Sequence, residues 1–557
     1  MPLETLSHGS RAYLFLALLA LALYLPGINT LPVTDRDEAR FAQATRQMVE
    51  SGDYINIRFQ NAPRNKKPAG IHWLQAAAVK GPAGGDTGAI WAYRLPSTLG
   101  ALAAVLALFA FARPVFGDRA GFLASVLMAT SVLTAVEAHI AKTDAVLLLC
   151  VIVGQGALMG LYRLGRMGER APPALAAAFW AALGASILIK GPVLPAIALV
   201  TLAALGIADR RAGLAAGLRA NLRPIPGLAL AAAIAAPWFV AAAMGGSGFV
   251  GGAVTGDLLP KLLGGHESHG APPGYYLLLA SFSFWPGILL VPFGLVWAWR
   301  NRLDPGPRFC LAWLVPSWIA FELVPTKLPH YVLPLLPAAA LLAAAAAVTG
   351  RDWTAGALAR WPARLWLALW CAAGLGLAAL VPALPVFASA PVPIAAWAAP
   401  LFCGLAMVAG LAGWIKRDAI RAVLAPVPAM VLFLGVVFAA ALPAMTELWP
   451  SALARDLVAR HRPAGGGAVA VAGFVEPSLV FALGTETRLT GAADAARHVA
   501  RGAGALALIE RRREARFRAA LAALDHVPVP LGTVRGFNTA KGRGVVLTLY
   551  RAEPAKP

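Results

Sequence analysis

The sequence predicts an all-α polytopic membrane protein of about 13 transmembrane helices, followed by a small α/β domain at the C-terminus. Two observations support this fold class. Of the 557 residues, 59% are hydrophobic and 13% are charged, and the mean hydropathy is +0.67, which is too apolar for a soluble domain. After Leu448 the composition changes to alternating β-like and helical runs, so residues 1–449 are predicted to be the membrane domain and residues 450–557 an α/β domain outside the membrane.

Thirteen apolar segments are the candidate spans. They lie near residues 11–28, 92–111, 120–136, 145–162, 174–189, 193–208, 225–243, 274–298, 309–324, 331–349, 365–386, 396–414 and 423–445. The first of them has no small-residue cleavage site before the charged loop that follows it. We therefore expect it to be a retained span and not a removed signal peptide.

Basic residues fall in every second connection between these segments. They are Arg113, Arg119, Arg163, Arg166, Arg170, Arg210, Arg211, Arg219, Arg223, Arg300, Arg302, Arg308, Arg351, Arg360, Arg364, Lys416, Arg417 and Arg421. By the positive-inside rule these connections are cytoplasmic, which places the N-terminus inside and the C-terminal domain outside. The net charge of +21 is then explained by topology and by anionic lipids, and nucleic acid is not an expected partner.

A charged stretch at residues 34–73 follows the first apolar segment. Within it, Phe41, Ala44 and Met48 recur at helical spacing and give one apolar face. This pattern predicts an amphipathic helix in the first external loop that ends near residues 51–53 and lies in the membrane interface.

Three acids stand at the start of that helix. Asp35 and Glu38 have the spacing of a capping box, and acids in a first turn suit the helix dipole. Capping gives no reason for Asp37 beside them, and ionisable clusters at a membrane face mark functional sites. Asp37 is therefore the candidate functional acid.

The topology places a set of charged residues on the external side. This set is Asp35, Asp37, Lys66, Lys67, Asp144, Lys190, Lys261, His266, Glu267, His269 and Lys327. Any single lysine here is explained as a side chain that reaches the headgroups from the end of a span. Five lysines on this face run against the topogenic bias, and together they favour an anionic substrate.

Several short motifs carry a resemblance to a known family. They are Asp37-Glu38-Ala39-Arg40, Lys67-Pro68 ahead of Trp73, Arg94-Leu95-Pro96-Ser97, Thr143-Asp144, Lys190-Gly191, and Thr326-Lys327-Leu328-Pro329-His330-Tyr331 with Leu333-Pro334. In this order the chain resembles the GT-C class of lipid-linked-sugar glycosyltransferases, and within it the bacterial lipid A aminoarabinose transferase family (glycosyltransferase family 83). The resemblance covers residues 10–350, and the C-terminal domain matches only in its position.

This resemblance implies a GT-C fold and an inverting glycosyltransferase of the bacterial inner membrane. The enzyme would move a sugar from undecaprenyl phosphate to lipid A or another cell-envelope acceptor at the periplasmic face. Asp37 matches the family's essential acid, and Lys67 matches a lysine that contacts the donor phosphate. The other charged side chains expected around the same cavity are Arg40, Asp144, Lys190, Lys261 and Lys327.

One position departs from the family pattern and bears on metal binding. The family has an acid linked to a bound metal immediately before the Lys-Pro pair, and this chain has Lys66 there, whose charge repels a cation. No cofactor is therefore predicted, and if a divalent metal is bound its first candidate ligands are His266, Glu267 and His269. The cysteines lie in apolar runs without metal-ligand spacing; they are Cys150, Cys310, Cys371 and Cys403.

Two other functions remain open at this stage. A protein O-mannosyltransferase-like enzyme shares an acid in the first external loop. A polytopic transporter or flippase would account for the spans, but transporters carry ionisable or broken-helix sites near the middle of the membrane. Here the charges gather at external span ends, which favours an enzyme acting at that face.

Overall fold

The computed structural model describes residues 3–210, 215–246, 248–260, 270–350, 361–463, 466–502 and 504–555. Lys261, His266, Glu267 and His269 lie outside these described residues. The described part of the chain is mainly helical, and a five-stranded sheet is present in its C-terminal part.

The N-terminal part is built from helices and one short β-ribbon. The helices are α1 Leu3–Leu6, α2 Gly9–Tyr24, α3 Asp37–Ser51, α4 Gly70–Lys80, α5 Ile90–Phe116, α6 Asp118–Thr130, α7 Val132–Ala138, α8 Asp144–Arg166, α9 Pro173–Lys190, α10 Val193–Ala208, α11 Ala215–Leu222, α12 Pro224–Met244, α13 Phe249–Ala253, α14 Tyr275–Ser283, α15 Val291–Arg300, α16 Pro305–Leu323, α17 Leu336–Thr349, α18 Trp361–Phe387, α19 Ile394–Ile415, α20 Ala419–Leu424, α21 Val427–Val436 and α22 Leu442–Ala444. The ribbon pairs β1 Arg58–Phe59 with β2 Ala62–Pro63.

Each predicted apolar segment coincides with a helix or a pair of helices, as expected of a multi-pass membrane protein. Among the described residues, eight helices are long and apolar enough to cross a membrane, or nine if the bent pair α6 and α7 is one span. Shorter apolar helices lie at Gly9–Tyr24, Val193–Ala208 and Gly287–Arg300. The number of thirteen spans stays a prediction, because each of these shorter helices has fewer than 18 residues and is too short to cross a membrane by itself.

Two helical segments form the centre of the bundle. In α8 and in the segment Pro329–Thr349, 83% and 89% of the apolar 18-residue stretch is buried, whereas 28% is buried in α18 and in α19. Asp144 is the first residue of α8, and His330 is the second residue of the segment Pro329–Thr349. The most buried part of the helical bundle therefore carries ionisable side chains at one of its ends.

A second group of charges holds the opposite end of α8. Asp209 is buried, accepts a hydrogen bond of 2.6 Å from the hydroxyl of Tyr162, and pairs with Arg308 and with Arg166. The 23 residues of α8 span about 34 Å at 1.5 Å per residue, close to the thickness of a bilayer core. The two charged groups therefore lie about one membrane thickness apart.

Helix α3 is the amphipathic helix predicted in the first loop. It ends at Ser51, and Gly52 closes it with φ 75°, a conformation that glycine adopts without strain. The predicted apolar face is buried: Phe41, Ala44 and Met48 are at most 4% exposed. Since Ala44 and Met48 pack with Trp238 in one apolar cluster, this face is covered by protein and not by lipid.

The C-terminal part is an α/β domain that begins with α23 Pro450–His461. The elements that follow are β3 Val469–Ala472, α24 Pro477–Leu483, β4 Arg488–Thr490, α25 Ala492–Val499, β5 Leu506–Glu510, α26 Arg511–Ala522, β6 His526–Asn538 and β7 Arg543–Pro554. The sheet has the order β4-β3-β5-β7-β6, in which β3 pairs in parallel with β4 and β5, and β7 pairs antiparallel with β5 and β6. Buried residues on its two faces form two separate apolar clusters, as expected for a sheet covered on both sides.

Candidate active site

A polar chamber of about 430 Å³ lies between the first loop, the turn before α8, the end of α9 and the segment around His330. The ionisable side chains of its lining belong to Asp35, Arg36, Asp37, Glu38, Arg40, Arg64, Lys66, Lys67, Lys142, Asp144, Lys190 and His330. Five of these were predicted as site residues from the sequence: Asp37, Arg40, Lys67, Asp144 and Lys190. Cations outnumber acids in this lining, so the chamber is suited to an anionic ligand.

The adjacent acids Asp37 and Glu38 have opposite surroundings. Asp37 is the first residue of α3 and is exposed in the chamber wall. Glu38 is 1% exposed, and its carboxylate lies against Arg94, with Nε 2.8 Å from Oε1 and Nη2 2.9 Å from Oε2. Glu38 therefore stabilises the fold through its buried ion pair with Arg94, and Asp37 is the acid that a ligand can reach.

The pKa of Glu38 reflects this arrangement. Burial alone would raise the pKa, but the charge of Arg94 and the hydrogen bonds from Arg94 and from the N–H groups of Thr34 and Ala141 lower it below its ordinary value. The same carboxylate thus fixes the start of α3 and the turn before α8. Both segments line the chamber, so this buried ion pair determines their separation.

The capping box predicted for Asp35 and Glu38 is wrong. The residue before the helix is Arg36, which makes no side-chain cap, and Glu38 is used by Arg94. Asp35 instead accepts a hydrogen bond of 3.2 Å from the N–H of Ser478 in the C-terminal domain. Burial, together with the nearby charge of Glu476, raises the pKa of Asp35 above its ordinary value. The sequence spacing was misleading because a distant domain supplies the partner.

Asp144 and Lys190 face each other across the chamber floor. Asp144 begins α8 and Lys190 ends α9, so each charge is at the helix end that the macrodipole favours. Nζ of Lys190 lies 2.5 Å from Oδ1 of Asp144. Gly191 follows with φ 74°, which allows the chain to turn directly into α10 and keeps Lys190 at the chamber.

Lys142 is a further cation of the floor. Its Nζ lies 3.0 Å from Oε1 of Glu137, 3.2 Å from Nδ1 of His330 and 3.7 Å from Oδ2 of Asp144. Because an ammonium group only donates, Nδ1 of His330 accepts this hydrogen bond. Burial alone would lower the pKa of Lys142, but Glu137 and Asp144 raise it above its ordinary value. The group therefore remains a fixed cation.

An apolar groove of about 300 Å³ joins the chamber. Its walls come from α10 and α16, with Val193, Ile197 and Phe321 among the lining residues. Ala196 and Ala320 are exposed in it, so the groove opens on the outer surface of the bundle. Four residues line both cavities: Lys67, Lys190, His330 and Tyr331. Cationic and hydrogen-bonding groups thus stand where a polar space meets an apolar one.

Of the remaining predicted site residues, Lys327 is the one that the structure describes. Lys327 is 4% exposed and donates to the carbonyls of Ala271 and Val324, at 2.9 and 2.8 Å. Lys327 thereby stabilises the segment around the bridge between Gly270 and Thr326, and its predicted contact with substrate stays a prediction. Lys261 and the candidate metal ligands His266, Glu267 and His269 lie outside the described residues. Within the described residues, no group of three His, Cys, Asp or Glu side chains is arranged to hold a metal.

Sequence reasoning missed Glu137, Lys142 and the contribution of the C-terminal domain. Glu137 is a single acid within an apolar run, and Lys142 immediately precedes the Thr143-Asp144 motif. An ionisable residue in an apolar segment is itself a sign of function, so the signal was present. Ala540, which lines the chamber from the turn between β6 and β7, had no such signal.

Comparison with known proteins shows which families and folds the chain resembles. Residues 12–245 match a family model described as dolichyl-phosphate-mannose-protein mannosyltransferase. The chain also aligns over 96% of its length with 97% of ArnT from Cupriavidus metallidurans bound to undecaprenyl phosphate, with a TM-score of 0.70 and 21% identity. The chain resembles the GT-C lipid A aminoarabinose transferases and has their fold.

Two curated relatives have the same kind of name. The undecaprenyl phosphate-alpha-4-amino-4-deoxy-L-arabinose arabinosyl transferase of Aeromonas hydrophila is 27% identical over 336 residues, which is 60% of this chain and 59% of that protein. A second such transferase, from Pseudomonas fluorescens, is 28% identical over 353 residues, covering 59% of this chain and 58% of the relative. The sequence match thus spans less than two thirds of these relatives, whereas the structural match extends over nearly the whole of ArnT.

Proposed function

We propose that this chain is an inverting glycosyltransferase that moves a sugar from a polyprenyl phosphate, such as undecaprenyl phosphate, to lipid A or another cell-envelope acceptor. The observation that carries the proposal is the junction between the polar chamber and the apolar groove. A polyprenyl-phosphate sugar has an apolar tail, a phosphate and a polar sugar in this order. With its tail in the groove and its sugar in the chamber, its phosphate lies beside Lys67 and Lys190.

The names of the relatives support this donor class. The curated relatives are undecaprenyl phosphate-linked aminoarabinose transferases, and the ArnT structure was determined with undecaprenyl phosphate. The chamber volume of about 430 Å³ accommodates a monosaccharide with part of an acceptor. Aminoarabinose, galacturonic acid and a hexose all fit this description, so the sugar is defined here only as a class.

The chemistry follows from the charge that develops on the leaving group. In transfer, the bond between the anomeric carbon and the phosphate oxygen breaks, and its electron pair stays on the phosphate. Lys67 and Lys190 are fixed cations beside this oxygen, and fixed charges in a partly dry site are the largest source of transition-state stabilisation. An acceptor oxygen that attacks from the opposite side forms the new bond and inverts the anomeric configuration.

Asp37 stands at the chamber wall as the acid for the acceptor side. With a hydroxyl acceptor, its carboxylate takes the proton that the hydroxyl loses as the new bond forms. With an ionised phosphate acceptor no proton has to be removed, and Asp37 then orients the acceptor or balances the surrounding lysines. Arg40, one turn further along α3, lies in the same wall and can bind an anionic acceptor group.

The mechanism uses fixed cations and requires no metal ion. Lys66, Lys67, Lys142 and Lys190 line one chamber. Asp144 and Glu137 offset part of their charge, and the remaining excess of cations in the lining suits the phosphate of the donor. A divalent ion beside Lys66 would meet electrostatic repulsion. If an ion is bound, it would supply charge neutralisation at the phosphate, and His266, Glu267 and His269 are the first ligands to examine.

The proposed location is the bacterial inner membrane with the chamber on the periplasmic side. The arginine-rich connections support this orientation through the positive-inside rule. Asp209, Arg166 and Arg308 lie at the end of α8 opposite the chamber, which is consistent with a cytoplasmic position for that end.

A second candidate function is transfer to a protein hydroxyl group. The family model over residues 12–245, described as a protein mannosyltransferase, favours it. Both functions use the same donor class and the same chamber, and they differ only in the acceptor. The chamber geometry alone supports either acceptor.

Mass spectrometry of the cell envelope tests both candidates. We would compare lipid A, core oligosaccharide and envelope proteins from strains that carry the wild-type chain, the Asp37→Asn variant or no copy. Loss of one sugar from lipid A or core in the last two strains supports the first function. Loss of a glycopeptide supports the second. Unchanged glycans in all three strains would refute both.

A further inference from the structure

The C-terminal domain contacts the two residues that precede Asp37. The N–H of Ser478 donates to Oδ1 of Asp35 at 3.2 Å, and Nη2 of Arg36 donates to the carbonyl of Ala540 at 3.4 Å. Ala540 lines the chamber together with Arg36 and Asp37. The domain is therefore part of the chamber wall and not only an appendage to the membrane domain.

Glu476 is at the centre of these contacts. It is 3% exposed and accepts a hydrogen bond of 2.9 Å from Nδ2 of Asn538. Its Oε1 lies 3.7 Å from Nζ of Lys541, and its Oε2 lies 3.8 Å from Nε of Arg36. One buried carboxylate thus joins the turn between β6 and β7 to the residue that precedes Asp37.

The backbone of Arg36 shows why this connection matters. Arg36 has φ 66° and ψ −81°, which a residue with a side chain adopts only at a free-energy cost. Such a conformation persists where the surroundings hold it, and it recurs at functional sites. Here it turns the chain into α3 so that Asp37 faces the chamber while Glu38 points to Arg94. A loss of the restraint on Arg36 would allow Asp37 to move.

We propose that Glu476 is a positioning residue for the transfer reaction, acting through Arg36 on Asp37, and that the C-terminal domain thereby completes the active site. This inference rests on the proposed function, since it assigns Glu476 a part in the same reaction. Glu476 touches no reacting atom itself. It holds the strained segment at the distance from the chamber that Asp37 requires.

A purely structural role in domain docking makes a different prediction. The domain has further contacts with the first loop that do not involve Glu476. Gln43 donates to Thr485 at 2.8 Å, Arg46 to the carbonyl of Phe481 at 3.1 Å, and Gln60 to the carbonyl of Thr487 at 2.6 Å. These contacts keep the domain docked when Glu476 is neutralised, so a change in catalysis can be separated from undocking.

The test compares Glu476→Gln and Glu476→Asp with Glu510→Gln in the purified full-length chain. Glu510 is a matched control, because it is also 3% exposed and its carboxylate pairs at 2.5 Å with Arg543 of the same domain. The probes are undecaprenyl-phosphate aminoarabinose as donor and lipid A as acceptor. We expect kcat of Glu476→Gln to fall roughly 10- to 100-fold, the effect of a misplaced catalytic group, with an unchanged KM for the donor. Glu476→Asp keeps the charge and recovers part of kcat, and Glu510→Gln retains wild-type kcat.

Two results would overturn the inference. One is wild-type kcat in Glu476→Gln. The other is an equal loss in Glu476→Gln and Glu510→Gln, which would mean that any damage to the domain impairs the enzyme.

A readout that needs no activity separates a failure of this inference from a failure of the proposed function. Limited trypsin digestion reports on opening of the segment, because Arg36 is a cleavage site beside Asp37. We expect cleavage after Arg36 to be several-fold faster in Glu476→Gln than in the wild type or in Glu510→Gln, and equal rates would contradict the restraint. If the wild-type chain transfers no sugar from any polyprenyl-phosphate donor, the proposed function fails, while this digestion still decides whether Glu476 holds Arg36.

Discussion

The guanidinium of Arg94 donates two hydrogen bonds, of 2.8 and 2.9 Å, to the carboxylate of Glu38, and both side chains are fully buried. The remaining donors of Arg94 are also used, since they bind the carbonyls of Ile28, Leu31 and Pro32. One side chain of α5 therefore bonds both the segment before α3 and the first turn of α3. This explains why an arginine and not a lysine stands there, because only a guanidinium offers five donors in a fixed plane.

Glu38→Gln is expected to destabilise the protein strongly. The substitution leaves the charge of Arg94 buried without its counter-ion, and breaking a buried ion pair costs about 3–5 kcal/mol. Thermal unfolding of the purified protein in detergent should show a lower midpoint than the wild type. An unchanged midpoint would contradict this prediction, because it would mean that the charge of Arg94 is solvated without Glu38.

The same pair predicts a pH dependence. The folded-state pKa of Glu38 is lower than its ordinary value of 4.5, so the ionised carboxylate stabilises the fold above that pH. This stabilisation is lost as the pH falls through the folded-state pKa, because the proton then neutralises the partner of Arg94. Unfolding midpoints measured from about pH 7 to about pH 3 should fall more for the wild type than for Glu38→Gln, which has no proton to gain at this position. Parallel curves would contradict the assignment.

Asp37→Asn should abolish transfer and leave the fold intact. Asp37 is exposed and makes no cap, so its neutralisation should change stability by less than about 0.5 kcal/mol. The activity assay with undecaprenyl-phosphate aminoarabinose and lipid A, together with the unfolding midpoint, checks both statements. Asp53→Asn, just beyond the end of the same helix, serves as the matched control with activity retained. Turnover near the wild-type value in Asp37→Asn would remove Asp37 from the mechanism.

Activity should survive chelation of divalent metals, because in the proposed mechanism fixed lysines neutralise the donor phosphate.

Lys67→Ala should weaken donor binding as well as turnover, since the phosphate is then under-neutralised at the junction of the two cavities. Lys80→Ala is a suitable control, because Lys80 is exposed at the end of α4 and lies over the ring of Tyr54, away from the chamber. Activity that disappears with chelator and returns with one particular ion would reverse this view and direct attention to His266, Glu267 and His269.

Reporter fusions should place the C-terminal domain in the periplasm. A periplasmic reporter fused after residue 450 should be active, and one inserted in the connection that contains Lys416, Arg417 and Arg421 should be silent. A cytoplasmic reporter should give the opposite pattern at both positions. An active cytoplasmic reporter after residue 450 would require an even number of spans and would move the chamber to the other side.

The fold class and the start of the site could be predicted because their signals are local. Apolar runs, basic connections and the helical spacing of Phe41, Ala44 and Met48 depend only on neighbouring residues. The motifs containing Asp37, Lys67, Asp144 and Lys190 also led to one chamber, since each stands at a helix end or in a loop that the spans bring to the same side.

The parts that could not be predicted depend on contacts between distant segments. Asp35 fits a capping box by spacing, but its partner Ser478 is 443 residues away along the chain. Lys327 carries the same charge as Lys190, and only the carbonyls of Ala271 and Val324 show that its ammonium serves the loop. The strands β4 and β6 have a weak sequence signal, because β4 is only 3 residues long and β6 contains prolines and a bulge near Pro530.

The meeting of chamber and groove at Lys67, Lys190, His330 and Tyr331 has a consequence for how such enzymes diversify. In the proposed donor position these four residues lie beside the phosphate that every donor shares, so we expect a substitution at any of them to affect every donor. Beyond the junction the two linings differ: Val193, Ile197 and Phe321 line only the groove proposed for the lipid, and Arg40 and Arg64 line only the chamber proposed for the sugar and acceptor. Carrier length and sugar identity can therefore change separately in evolution, each on its own set of side chains, while the phosphate contact stays constant.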